Sequence, residues 1–93
     1  MTRSDIVDNV YLTICVDRNT KYGEPEDNFG LIGKLWSIYL DREIKAEDVA
    51  MMMVLFKTRR IMSGKVNPDN YIDLAGYAAC AGEIATRGCE NEN

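Results

Sequence analysis

The stretch EDVAMMMVLFKTRR carries apolar side chains at every position from Val49 to Phe56. At 100° per residue these side chains cover almost the whole circumference of a helix, which is typical of a helix that other helices surround. Two acids in its first turn favour the positive end of the helix dipole. The sequence therefore predicts a central helix that begins near Lys45 or Ala46 and ends near Gly64.

Three further segments repeat apolar residues at three- and four-residue spacing, which is the period of an amphipathic helix. They run from Ser4 to Asp17, from Pro25 to Asp41 and from Pro68 to Ala85. Ser4 and Asn67 are predicted N-caps, and the prolines that begin the second and third of these segments suit the first position of a helix. The residues from Arg87 to Asn93 are expected to fray.

The connections and the chain length define the fold class. The polar stretch from Arg18 to Asn28 is the predicted main loop, and the other connections are short. Because 93 residues have room for one core, residues 1–93 are predicted to form a single all-α domain, a compact bundle of four helices. Gly30 and Gly33 lie inside the second helix and cost about 1 kcal/mol each relative to alanine, which predicts a close approach of another backbone or a ligand.

Composition excludes several classes of function. Eleven basic and 15 acidic residues give a net charge of −4, which argues against general binding to nucleic acid. The chain has no histidine, so catalysis through Ser/His/Asp or Cys/His groups is excluded. Cys15, Cys80 and Cys89 form no CxxC pair and are expected to be reduced thiols. With no signal peptide and no apolar run of about 20 residues, a cytoplasmic protein without membrane contact is expected.

Three charged residues fall on helix faces that are otherwise apolar. Asp73 shares a stripe with Tyr77, and Lys57 and Arg60 flank apolar residues of the central helix. One interpretation is that Asp73 pairs with Lys57 or Arg60 and fixes the register of two helices. The other is that the two cations line a pocket for a phosphate or carboxylate, with Asp73 holding one of them.

The loop motif KYGEPEDNF offers a second group of candidates. Glu24 and its neighbouring acids favour the start of the second helix. Tyr22 could stack on a base, and Asn28 could bind a base or sugar edge through its amide. Trp36 and Tyr39, at helical spacing, are expected to be core or oligomer contacts.

The segments YGEPEDNF, LW, EDVAMMMVLFKTRR and DNYIDLAGYAA together resemble an uncharacterised family of small phage and prophage domains, over about Lys21 to Ile84. More distantly, the chain is similar to the MazG-type all-α nucleoside triphosphate pyrophosphohydrolases, which hold magnesium with ExxE and ExxD carboxylates on helices. Here the second helix has no ExxE, and Asn70 stands three residues before Asp73.

Two functional hypotheses follow. The first is a non-enzymatic phage protein that counters host defence, either by sequestering a nucleotide or nucleotide-derived signal or by blocking a defence protein. It needs no cofactor, and its ligand-binding residues are predicted to be Lys57, Arg60, Tyr22, Asn28, Asp73 and Tyr77. The alternative is a Mg²⁺-dependent pyrophosphohydrolase with Glu24, Asp48 and Asp73 as metal ligands. A homo-oligomer is expected, because the central helix is apolar nearly all round and leaves surface for a second protomer to cover.

Overall fold

The computed structural model describes residues 1–17 and 23–90, with side chains up to Arg87. Four helices account for the described chain: α1 Arg3–Tyr11, α2 Pro25–Leu40, α3 Ala46–Ile61 and α4 Pro68–Glu90. A π-helical segment, Leu12–Asp17, continues directly from α1. Within residues 1–17 and 23–90 there is no strand, so the prediction of an all-α fold with four helices is confirmed. None of the helices described is long and apolar enough to span a membrane.

The first helix is capped two residues earlier than predicted. Thr2, not Ser4, is the N-cap, and the Asp5 N–H donates to the Thr2 hydroxyl over 3.1 Å. The Asp5 carboxylate in turn accepts from the Thr2 N–H over 2.9 Å. This reciprocal capping box satisfies two backbone donors at once, which a single cap at Ser4 would not do.

The capping box makes the start of α1 sensitive to acid. The hydrogen bonds from the backbone and then from the side chain of Thr2 lower the pKa of Asp5 below its ordinary value of 3.8. The stabilisation is therefore present above the unfolded pKa and is lost as the pH falls through the folded pKa. We expect NMR titration of the Asp5 carboxyl to give a midpoint below 3.8, and Thr2→Ala to raise it. A midpoint at or above the ordinary value would contradict the capping box.

The end of α2 is held against the start of α3 by one serine. The Ser37 hydroxyl donates to the Gly33 carbonyl and accepts from the Ile44 N–H, both over 2.7 Å. Between Ser37 and Ile44 in the chain, Asp41 takes a left-handed conformation with φ 53° and ends α2. A Cβ built on Gly33 would lie 2.6 Å from the Ile44 carbonyl oxygen, whereas one on Gly30 would meet no atom of residues 1–17 or 23–90 within 4 Å. The predicted close approach of another backbone is therefore correct at Gly33, and no such approach to Gly30 occurs among the described residues.

The core lies where α3 meets both α2 and α4. Its buried residues are Phe29, Val49, Ala50, Cys80, Ala81 and Ile84. The composition of α3 predicted a helix surrounded on all sides. Its outer side is open instead, because four helices of this length do not cover it. Met51, Met52, Leu55 and Phe56 are exposed there.

The last helix continues past its predicted end near Ala85. It reaches Glu90, and Arg87 joins it to the start of α2 through ion pairs with Glu24 and Glu26, besides Glu83 one turn earlier. Desolvation alone would lower the pKa of Arg87, but the nearby Glu26 and Glu83 carboxylates outweigh it and raise the pKa. These contacts order the helix where fraying was expected from residue 87. Residues 91–93 lie outside the described part of the chain.

Candidate functional site

A cavity of about 280 Å³ lies at the junction of α2, α3 and α4. Its lining consists of Asn28, Phe29, Ile32 and Trp36 from α2, Val49 and Met53 from α3, and Tyr77 from α4. None of these side chains is charged, and three of them are aromatic. Mainly apolar and aromatic walls with a few polar groups are typical of small-molecule sites.

The cavity exists because three amphipathic helices direct one face each to the same point. On α2 the lining residues are spaced at three and four positions and so share one face. On α3, Val49 and Met53 are one turn apart, and α4 adds Tyr77. The Phe29 and Tyr77 rings lie with centroids 6.0 Å apart and planes inclined by 45°. This tilted pair forms one wall of the cavity.

Two polar groups belong to the cavity lining. Asn28 lies in the first turn of α2, where its backbone N–H donates to the Glu24 carbonyl over 3.2 Å. Its side-chain amide is half-buried and can both donate and accept hydrogen bonds. Tyr77 provides a phenolic hydroxyl. These groups could orient a planar ligand whose edge carries donors and acceptors.

A salt bridge lies one helical turn from the cavity, between α3 and α4. Lys57 Nζ and Asp73 Oδ2 are 2.9 Å apart, with exposed side-chain fractions of 15% and 36%. Lys57 follows the lining residue Met53 by four positions, and Asp73 precedes Tyr77 by four. The pair that one of the two interpretations of these charges predicted is thus present. It lies beside the cavity without lining it.

Arg60 lies further along the same side of α3. Its guanidinium carbon is 4.9 Å from the centroid of the Phe56 ring, at the distance of a cation–π contact. It is exposed and forms no ion pair with any residue in the described ranges, 1–17 and 23–87. Because Met53 and Arg60 are seven residues apart, they share one helix face about 10 Å apart along the axis.

The structure divides the predicted ligand-binding residues into three groups. Asn28 and Tyr77 meet at the cavity, Lys57 and Asp73 form the adjacent salt bridge, and Arg60 lies beyond it. Tyr22 lies outside the described residues.

Sequence reasoning missed several cavity residues. Trp36 packs against the core, as predicted, but its place in the cavity lining was not predicted. Phe29 and Met53 entered the predictions only through apolar periodicity. Tyr39, paired with Trp36 in that expectation, is 88% exposed and so is not part of the core. A signal was available for α2, since residues 28, 29, 32 and 36 fall on one helical face. The signal for Met53 depends on how α3 packs against α2 and α4, which periodicity within one helix does not give.

The three carboxylates of the magnesium alternative are not brought together. The Asp48 carboxylate accepts from the Lys45 N–H over 2.9 Å at the start of α3. Glu24 lies 3.8 Å from Arg87, and Asp73 binds Lys57. Among the described residues, no three His, Cys, Asp or Glu side chains form a group that could hold a metal ion. The residues proposed for magnesium therefore do not fit that role in this arrangement.

Comparison with known proteins gives one family and two phage relatives. Residues 5–85 match the family model described as "Domain of unknown function (DUF6378)". The "Gene 55 protein" of Mycobacterium phage D29 is 41% identical over 76 residues, which are 82% of this chain and 50% of that protein. The protein of the same name from Mycobacterium phage L5 is 40% identical over 62 residues, 66% of this chain and 40% of that protein. This chain spans half or less of the length of these relatives. No solved structure matches.

Proposed function

Because this chain belongs to the family described as "Domain of unknown function (DUF6378)", and its phage relatives support a phage origin, we propose that it is a phage protein that counters host defence by binding. The bound molecule is a nucleotide or a nucleotide-derived signal. Binding withdraws this molecule from the host without converting it. The cavity between α2, α3 and α4 is the observation that carries the proposal.

The cavity suits a nucleobase in size and chemistry. A volume of about 280 Å³ lies just below the range for drug-sized small-molecule sites, about 300–1,000 Å³. Such a volume suits one flat ring system better than a whole nucleotide. Trp36 and Tyr77, both half-buried, supply aromatic surface for its faces, and the buried Phe29 lies behind Tyr77. The Asn28 amide can pair with a donor and an acceptor on the edge of the ring.

The charged groups beside the cavity suit the phosphate of the same ligand. A base bound against Met53 would leave the sugar and phosphate to extend along α3 toward Lys57 and Arg60. Lys57 is engaged by Asp73, whereas the exposed Arg60 has no carboxylate partner among the described residues. A guanidinium can bind two phosphate oxygens at once. Arg60 is therefore the proposed phosphate-binding residue, and Asn28 and Tyr77 are proposed to bind the base.

Intrinsic fluorescence tests this assignment directly. Trp36 is the only tryptophan of the chain and lines the cavity, so a bound base should change its emission. We expect saturable changes on titration with nucleosides and nucleoside monophosphates, and none with inorganic phosphate alone. Arg60→Ala should weaken monophosphate binding by about tenfold, the value of roughly one charge-assisted hydrogen bond, and leave nucleoside binding unchanged.

Two matched controls separate the site from the rest of the surface. Arg42→Ala removes an exposed arginine that does not line the cavity, and it should leave all affinities unchanged. Tyr77→Phe should weaken nucleoside binding, while Tyr71→Phe on the same helix should not. The absence of any saturable change across the nucleosides and nucleotides would overturn the proposal. Release of pyrophosphate from nucleoside triphosphates with Mg²⁺ would replace sequestration by hydrolysis, which is the alternative that the MazG-type resemblance implies.

A further inference from the structure

The outer face of α3 carries a group of exposed apolar side chains. Leu55 is 67% exposed and Met62, which follows the helix, is 73% exposed. Met51, Met52 and Phe56 are also exposed on this side. Contiguous apolar surface of this kind marks a site of association in a soluble chain. It lies on the opposite side of α3 from the buried Ala50 and the salt bridge of Lys57.

The exposed side chains follow a heptad pattern with a charge at each end. Asp48, Met52, Leu55 and Arg59 are spaced by four, three and four residues, so they form one stripe along α3. All four side chains are exposed. The stripe therefore has an acidic residue at its first position, two apolar residues in its middle and a basic residue at its last position. We call these four residues the α3 stripe.

We propose that the α3 stripe binds the α3 stripe of a second copy of this chain in antiparallel orientation. With a twofold axis between residues 53 and 54, Asp48 lies opposite the partner's Arg59, and Met52 lies opposite the partner's Leu55. The twofold repeats both contacts, as an isologous interface requires. Each apolar side chain then meets an apolar one, and each charge meets its opposite.

The charges favour this orientation, and they favour α3 over α2. A parallel pairing in the same register would place Asp48 against Asp48 and Arg59 against Arg59, which like-charge repulsion disfavours. A second exposed apolar row, Leu31, Leu35 and Ile38 on α2, has Lys34 beside its centre. A twofold axis through the centre of that row would place Lys34 of one copy close to Lys34 of the other, and their like charges would repel. The α3 stripe has no such conflict.

A single pair of helices buries less than the roughly 1,600 Å² of a standard interface, so the dimer is expected to be reversible. Sedimentation velocity over a concentration series should show the mean mass rising from the 10.5 kDa monomer toward twice that value. Leu55→Glu should weaken this association by at least about tenfold. Leu31→Glu removes an equally exposed leucine, 62% against 67%, from α2 and should leave association unchanged.

Exchange of charges tests the register. Arg59→Glu and Asp48→Lys should each weaken self-association, because each brings like charges together twice in the dimer. Mixing the two variants should restore association, since the lysine introduced in one chain then faces the glutamate introduced in the other and the native pair remains at the second contact. Circular dichroism should show unchanged helix content, which is needed for Asp48→Lys because Asp48 also caps α3.

Several outcomes would overturn the proposal. Wild-type protein that stays monomeric up to about 1 mM would show that another partner, if any, covers this face. Equal effects of Leu55→Glu and Leu31→Glu would show that association does not depend on the α3 stripe. Failure of the mixed charge variants to associate, with both folded, would contradict the antiparallel register.

Discussion

Gly33→Ala is expected to destabilise the fold by about 2–3 kcal/mol, a large share of the stability of a small domain. The added methyl group would lie 2.6 Å from the Ile44 carbonyl oxygen. That oxygen belongs to the backbone, so relief requires α2 to move away from the start of α3. The movement would also strain the bonds that Ser37 makes to Gly33 and Ile44. The steric cost exceeds the helix-propensity gain of about 1 kcal/mol that alanine brings.

Gly30→Ala is the matched control, because it lies three residues earlier in the same helix and its added methyl group would meet none of the described residues within 4 Å. This variant should be unchanged or more stable by up to about 1 kcal/mol. Urea unfolding followed by circular dichroism measures both changes in the free energy of unfolding. Equal effects of the two substitutions would contradict the close packing of α2 on the segment before α3.

The second large effect is expected from Asp73. Asp73→Asn leaves Lys57 without its partner charge at a side chain only 15% exposed. Loss of one partner from a fully buried pair costs about 3–5 kcal/mol, and the partial exposure of this pair reduces the expected cost to about 1–3 kcal/mol. Lys57→Met should cost less, because the remaining carboxylate is 36% exposed and keeps water contact.

The order of these two effects on stability tests the burial of the ion pair. Urea unfolding should place Asp73→Asn below Lys57→Met in stability, and the double variant should lie close to Lys57→Met. If Lys57→Met is the more damaging of the two, the assigned burial of the pair is contradicted. Arg60→Ala serves as the control, since this exposed arginine contacts Phe56 and has no carboxylate partner among the described residues. It should change stability little and nucleotide affinity strongly.

Most of the helical organisation was predictable from local pattern. Asn67 accepts from the Asp69 N–H over 3.0 Å, as expected of the cap before Pro68. Pro25 and the acids after it begin α2 where predicted. The end of α4 was not predictable, because Arg87 is ordered by Glu24 and Glu26, which lie about 60 residues away in sequence.

The candidate site was predictable only in part. Asn28 was identified from its amide and Tyr77 from the stripe that it shares with Asp73, and both line the cavity. The prediction that Trp36 is a core or oligomer contact agrees with its packing against the core, but its place in the cavity lining was not predicted. Whether three helices close over such a residue or leave a cavity depends on their separation and crossing, which periodicity along each helix does not specify.

The sequence by itself determined which four segments are helical and which side of α1, α2 and α4 is apolar, because prolines and the 3.6-residue period act within one helix. Only the tertiary structure decided which of α3's apolar faces is covered, that Lys57 rather than Arg60 binds Asp73, and that Gly33 rather than Gly30 meets another backbone. Each of these depends on distances between helices. Such distances are set by packing over the whole core, and no local pattern encodes them.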